Sequence, residues 1–195
     1  MPLRCSTLSL TIAAALTALL ASGCSSIGAW NDNRVTVIEQ TLGKPEIVAN
    51  VGLATPPGSR YGGRVSFSQY GMFLLVRADL TGLEPNREYG LHVHEHGDCS
   101  GAAGTGIGGH FNPEGKLHGR PGRDPSHAGD LMNVRADGEG NVMYVFQTTA
   151  ITLTAGPRSV IGRGVVLSRN ADDYLTQPDG NSGPPIACGF IRRTG

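Results

Sequence analysis

Six histidines occur in the 195 residues, and all six fall between His92 and His127. The stretch opens His92-Val93-His94-Glu95-His96-Gly97-Asp98-Cys99, continues through Gly108-Gly109-His110-Phe111-Asn112-Pro113 and His118, and closes His127-Ala128-Gly129-Asp130. Scatter does not gather a residue type in this way. Neutral imidazole and carboxylate are donors that first-row divalent metals take, so the cluster reads as a metal site. Solvated histidines on a polar loop are the plain alternative; that reading suits one histidine, not six.

Side chains on a strand alternate between faces, so His92, His94 and His96 leave one face at intervals of about 7 Å. Two such imidazoles can grip one metal while the strand holds them rigid. His110, His118, His127 and Asp130 come from the loop that follows. Three nitrogens and one carboxylate oxygen make a closed tetrahedral set, which suits structural zinc. Binding would also order a loop that cannot fold on its own contacts.

The elements that must position these groups are short and β-like. Ile47–Leu53, Arg64–Ser68, Met72–Leu80, Tyr89–His96, Asn141–Thr148, Ser159–Ser168 and Ala187–Ile191 read as strands, separated by Gly- and Pro-rich turns. A further short strand is predicted at Val35–Ile38. Residues 97–130 and 169–185 lack periodicity, and an irregular loop as long as the first should have a function. No stretch carries a helical stripe over three turns. Seven or eight short strands predict an all-β sandwich or Greek-key barrel. Gly104-Thr105-Gly106-Ile107-Gly108 is only superficially like a nucleotide loop, because no helix follows it.

Sixteen Lys and Arg balance sixteen Asp and Glu, so nothing in the charge suggests nucleic acid. Arg4 followed by the apolar run Leu8 to Leu20 reads as a signal-peptide core over residues 1–23, too short to span a bilayer comfortably. Ala21-Ser22-Gly23-Cys24 resembles a bacterial lipobox, with Ala at the position where Leu is commoner. Cleavage there would leave Cys24 as a lipidated N-terminus. Residues 24–45 would then tether the domain, 46–195, to a membrane of the periplasm or cell envelope. An ordinary secretory signal with an incidental Cys is the other reading. Either one exports the domain to an oxidising compartment. Cys99 and Cys188 remain there as an even pair and are expected to bond to each other, free buried thiols being the alternative.

The motifs are specific enough to name a likeness. His92-Val93-His94-Glu95, Gly97-Asp98-Cys99, Gly109-His110-Phe111-Asn112-Pro113, His118, His127-Ala128-Gly129-Asp130-Leu131, Gly162-Arg163 and Ala187-Cys188-Gly189 together resemble the copper–zinc superoxide dismutases, over roughly residues 47–191. The resemblance implies a Greek-key β-barrel with a metal-bearing loop, copper and zinc as cofactors, and superoxide as substrate. His92 and His94 match copper ligands, and His110 matches the histidine that bridges copper and zinc. His118, His127 and Asp130 match the remaining zinc ligands. Asp172 falls where the family has a carboxylate linking a copper histidine to a zinc histidine. Cys99 and Cys188 match the family disulfide. Monomer and homodimer both stay open.

Two positions depart from the family pattern. Its fourth copper histidine lies five residues after the Gly-Arg pair, where this chain has Ser168. Its active-site arginine lies three residues before the late Cys, where this chain has Pro185. In the family the bridging histidine releases reduced copper, which would leave His92 and His94 here, a set that favours reduced over oxidised copper. Losing the arginine removes a local positive charge that would raise the capture rate of an anion. Slow dismutation, or a vestigial copper half on a zinc-binding protein, follows as the expectation. His96 is a candidate extra ligand if the strand end bends inward; otherwise it lies on the surface outside the pocket.

Overall fold

The computed structural model describes residue 37 and residues 40–100, 106–123 and 125–194. The predicted signal peptide, the lipidation site Cys24 and most of the tether lie outside the described residues. Nine strands occur among the described residues: β1 (Ile47–Gly52), β2 (Gly62–Tyr70), β3 (Phe73–Thr81), β4 (Glu88–Tyr89), β5 (Leu91–His94), β6 (Val134–Arg135), β7 (Val142–Thr148), β8 (Gly164–Ser168) and β9 (Pro185–Phe190). They form an antiparallel sheet β1-β2-β3-β7, a second sheet β5-β8-β9 and a small ribbon β4-β6. The expected all-β architecture is therefore present.

Alternation builds the core. Val65 and Phe67 of β2, Val76 and Leu80 of β3, Leu91 and Val93 of β5, and Val165 and Leu167 of β8 belong to one buried apolar cluster filled from both sheets. The sheets join where the Ala54 amide donates to the Cys188 carbonyl (2.7 Å) and the Cys188 amide returns the bond (3.0 Å). Gln69, buried among apolar residues, has both ends of its amide satisfied. Its Nε2 donates to the carbonyls of Gly71 (2.8 Å) and Phe73 (3.1 Å), and its Oε1 accepts from the Leu153 amide (2.9 Å).

Three predicted elements differ. Val37, expected in a strand, is helical together with residues 40–42. The Thr41 hydroxyl donates to the Val37 carbonyl (2.8 Å), a helical back-bond that outweighs a weak β-propensity. The run Tyr89–His96 is divided at Gly90. Tyr89 pairs with Val134 in the ribbon, whereas Leu91–His94 pairs with β8. The strand expected from Ser159 begins only at Gly164, because residues 160–163 turn, with the Arg163 amide donating to the Val160 carbonyl (3.1 Å). The two-residue strands β4 and β6 are too short to leave a periodic signal.

Candidate metal centre

β5 separates two chemistries on its two faces. Leu91 and Val93 enter the core; His92 and His94, one residue on, leave the opposite face. Gly90 makes room at the strand's start: a Cβ there would come within 2.9 Å of His92 Cε1 and 3.1 Å of Ser182 Cβ. The loop after β5 returns over this face. The Phe111 amide donates to the Val93 carbonyl and the Val93 amide to the Gly129 carbonyl, both at 2.8 Å. His110 and Asp130 are thereby laid against the strand.

Two groups of donors result, His110–His118–His127–Asp130 and His92–His94–His110, all buried. In the first, the centroids of the three imidazoles stand 5.4, 5.7 and 5.5 Å apart. Their Nδ1 atoms lie 2.9, 3.1 and 3.4 Å from one atom, Asp130 Oδ1. A tetrahedron with metal–ligand bonds of about 2.0–2.1 Å has edges of about 3.3 Å, so these separations match the edges of a zinc site. His118 Nδ1 and His127 Nδ1 make no hydrogen bond despite this closeness. They are aimed at a common point rather than at the carboxylate.

The second group is oriented from behind. His92 Nε2–H donates to Asp172 Oδ2 (2.8 Å), and His94 Nδ1–H donates to the Gly108 carbonyl (2.9 Å). A carboxylate or carbonyl can only accept, so each bond fixes the tautomer and leaves the other ring nitrogen with a free lone pair. Those other nitrogens, His92 Nδ1 and His94 Nε2, are buried without a hydrogen-bond partner. Four such orphaned nitrogens in one small volume would be costly unless a cation took them, so the donor set fits a pair of metals. His110 belongs to both groups and stacks on His92 at 3.9 Å between centroids.

Asp172 links the halves: its Oδ1 accepts from His118 Nε2 (2.9 Å) while Oδ2 holds His92. Asn133, unremarked in the sequence, fixes it by donating to the Asp172 carbonyl (2.8 Å) and accepting from the Asp172 amide (2.9 Å). Gln177 grips His118 likewise, through the His118 amide (2.8 Å) and carbonyl (2.9 Å). Arg163 places its guanidinium 3.6 Å from the Phe111 ring centroid and donates to the Glu95 carbonyl (2.9 Å), steadying residues next to His110 and His94. No spacing or residue type signals Asn133 and Gln177, because they act on the backbone; Arg163 entered only as part of a matched motif.

Protonation in the metal-free site follows from burial and the two aspartates. Burial outweighs the bond to Asp172 and lowers His92 to about 4. Burial likewise lowers His94 to about 3. Both rings are therefore neutral at pH 7. At His118 burial also lowers the pKa, but Asp130 and Asp172 outweigh it and raise the ring to about 9. For Asp130, burial is outweighed by the imidazoles of His110, His118 and His127 gathered around it, which hold it well below the usual carboxylate range.

Cys99 and Cys188 form a disulfide, tying the metal loop to β9 with Cα atoms 5.6 Å apart. His96 is exposed beyond the end of β5 and belongs to neither donor group. Ser168 is buried at the end of β8, with Pro185 opposite it on β9.

One buried histidine, His110, shared between two groups of metal-ligating side chains on the outer face of an antiparallel sheet defines a candidate binuclear metal centre. The chain belongs to the copper/zinc superoxide dismutase family, whose model matches residues 61–191. It is 38 % identical over 123 residues to a copper–zinc superoxide dismutase of Aquifex aeolicus, covering 61 % of this chain and 72 % of that one. It is 39 % identical over 142 residues to the copper–zinc superoxide dismutase of Claviceps purpurea, covering 68 % and 90 %. The crystal structure of the clock protein EA4 superposes with a TM-score of 0.69 at 39 % identity, covering 78 % of this chain and 97 % of that one. The family's metals are copper and zinc.

Proposed function

We propose that this chain is an exported, lipid-anchored protein that holds zinc and copper and dismutates superoxide to oxygen and hydrogen peroxide at a reduced rate. The observation that carries the reading is the set of orphaned nitrogens, His92 Nδ1, His94 Nε2, His118 Nδ1 and His127 Nδ1, buried around His110 and Asp130. Zinc would be held by His110, His118 and His127 through Nδ1 and by Asp130 through Oδ1. Copper would be held by His92 Nδ1, His94 Nε2 and the other nitrogen of His110. Bound copper supplies the one-electron chemistry that takes one superoxide to oxygen and another to peroxide. The chain's part is to keep His92 and His94 neutral and fixed, through Asp172 and the Gly108 carbonyl, and to share His110 between the sites. It lacks a cation at Pro185 to draw the anion in, and a fourth nitrogen at Ser168.

Metal content and superoxide turnover measured on one sample from a copper- and zinc-replete envelope test this reading. One zinc, one copper and slow turnover per chain are expected. Near-zero turnover in copper-loaded protein would remove the activity. Ser168→His with Pro185→Arg should raise turnover sharply. The lipid anchor predicts that Cys24→Ala abolishes labelling by a fatty-acid analogue and releases the protein from the membrane fraction.

A second reading, a zinc-holding envelope protein with a vestigial copper half, is favoured by one observation: the two departures from the family face each other as a single cross-strand pair. Zinc at one per chain with no copper would establish it.

A further inference from the structure

The outer face of the β5-β8-β9 sheet fixes how many nitrogens a copper ion could meet. His92 stands opposite Val166 and His94 opposite Gly164. Ser168 is two residues beyond Val166, so it shares their face and lies past His92. The Ser168 amide donates to the Gly90 carbonyl (2.8 Å), which pins that end of β8. Across from it on β9 is Pro185, beside an irregularity in register between Leu167 and Ser168. Neither a hydroxyl nor a pyrrolidine ring supplies a nitrogen donor here, and Ser168 is 3 % exposed, so the position is enclosed by protein.

No other histidine can move in. His118 and His127 are committed to the group around Asp130, and His96 is exposed beyond the strand end. His92 and His94 are each locked from behind, by Asp172 and by the Gly108 carbonyl. The copper half therefore offers at most three imidazole nitrogens in a fixed arrangement. Oxidised copper takes four or more donors in a tetragonal set, with N and O ligands. Reduced copper has a filled d shell, no such geometric demand, and is satisfied by two or three nitrogens.

We infer that the copper half is a cuprous-ion site, binding Cu(I) much more tightly than Cu(II), and that Ser168, which brings no nitrogen to the face of His92 and His94, sets this preference. The inference rests on the assignment of His92, His94 and His110 as copper ligands. It gives the slow turnover a specific origin: the oxidised member of the redox pair is destabilised, which raises the midpoint potential. It also makes the site suited to holding Cu(I) and passing it on.

The test uses the full chain carrying zinc, with zinc content checked in every variant. Cu(I) affinity is read by competition with bicinchoninate and Cu(II) affinity by competition with nitrilotriacetate. Ser168→His should lower the Cu(I)-to-Cu(II) affinity ratio at least tenfold, and copper should then give a persistent Cu(II) paramagnetic resonance signal in air. Pro185→Arg alone adds charge but no donor nitrogen, and should leave the ratio within about threefold. A ratio unmoved by Ser168→His in zinc-replete protein would overturn the inference. So would native protein that holds Cu(II) in air and resists reduction by ascorbate. Binding of neither copper ion would instead remove the ligand assignment on which the inference rests.

Discussion

Asp172 is one side chain that answers to two metals. Its two oxygens accept from His92 Nε2 and His118 Nε2, so each ring is held with Nδ1 facing its own site. Asn would offer one acceptor oxygen and one NH2, and the amide would meet one ring donor against donor. Asp172→Asn should therefore weaken copper and zinc together, by roughly 10–100-fold each, the usual cost of losing such a support. Competition titrations of both metals check this; a loss confined to copper would contradict the linkage. Gly180 protects the same junction. It sits at φ 64°, and a Cβ there would overlap Asp172 Oδ1 and approach His118 Nε2.

His118 adds a pH dependence. Raised to about 9 by Asp130 and Asp172 against the effect of burial, it is protonated at pH 7 in the metal-free chain. Zinc binds only the neutral ring, while Asp130 is already ionised. Zinc uptake at pH 7 should then expel about one proton, and affinity should fall by about tenfold per pH unit as pH drops below 9. Calorimetry in buffers of different ionisation enthalpy measures the proton directly. For the metal-free fold the sign is opposite. The charged ring stabilises it below about pH 6.5, and that contribution is lost as pH rises through 9.

At the scale of elements, β5 shows what patterning can and cannot convey. Alternation placed His92 and His94 on one face, and the loop spacing brought His110, His118, His127 and Asp130 into one group. The break at Gly90 was invisible because it is decided by partners far along the chain, Val134 on one side and Leu167 on the other. Residues 159–163 misled for a related reason. Val160 is fully buried, so its apolarity is real, but it serves a turn. Asn133, Gln177 and the Gly108 carbonyl were illegible because hydrogen bonds to backbone groups leave no residue-type signature. The disulfide was legible from the even cysteine pair, and it closes a loop of 89 residues in sequence separation. In the chain-entropy account that constraint stabilises the fold by about 4–5 kcal/mol. Cys99→Ser with Cys188→Ser should cost about that much in denaturant unfolding, with a steeper slope against denaturant concentration because the uncrosslinked unfolded chain exposes more surface.

For the whole molecule, the barrel core and the metal loop draw on different sources of stability. Phe67, Leu74 and Leu91 are fully buried between the sheets, and none of them touches the metal groups' chemistry. Phe67→Ala should cost about 3–5 kcal/mol through lost burial and the cavity left behind, while one zinc per chain is retained. The loop is different. Its buried polar side chains are three histidines and one aspartate that converge on one point, and without a cation His118 Nδ1 and His127 Nδ1 have no hydrogen-bond partner there. Removing metal should leave the sheets folded and loosen residues 106–130. Hydrogen exchange of the chelated protein should show fast amides at Gly119 and His127, whose N–H groups bond Asp130 Oδ2, and slow ones in β2 and β3. Returning zinc should restore protection and add RT ln(1 + [Zn]/Kd), about 4 kcal/mol at a thousandfold excess over Kd. Equal protection of the loop with and without zinc would mean that Asp130, Asp172 and the disulfide hold the site by themselves, and that metal fills a centre the fold has already built.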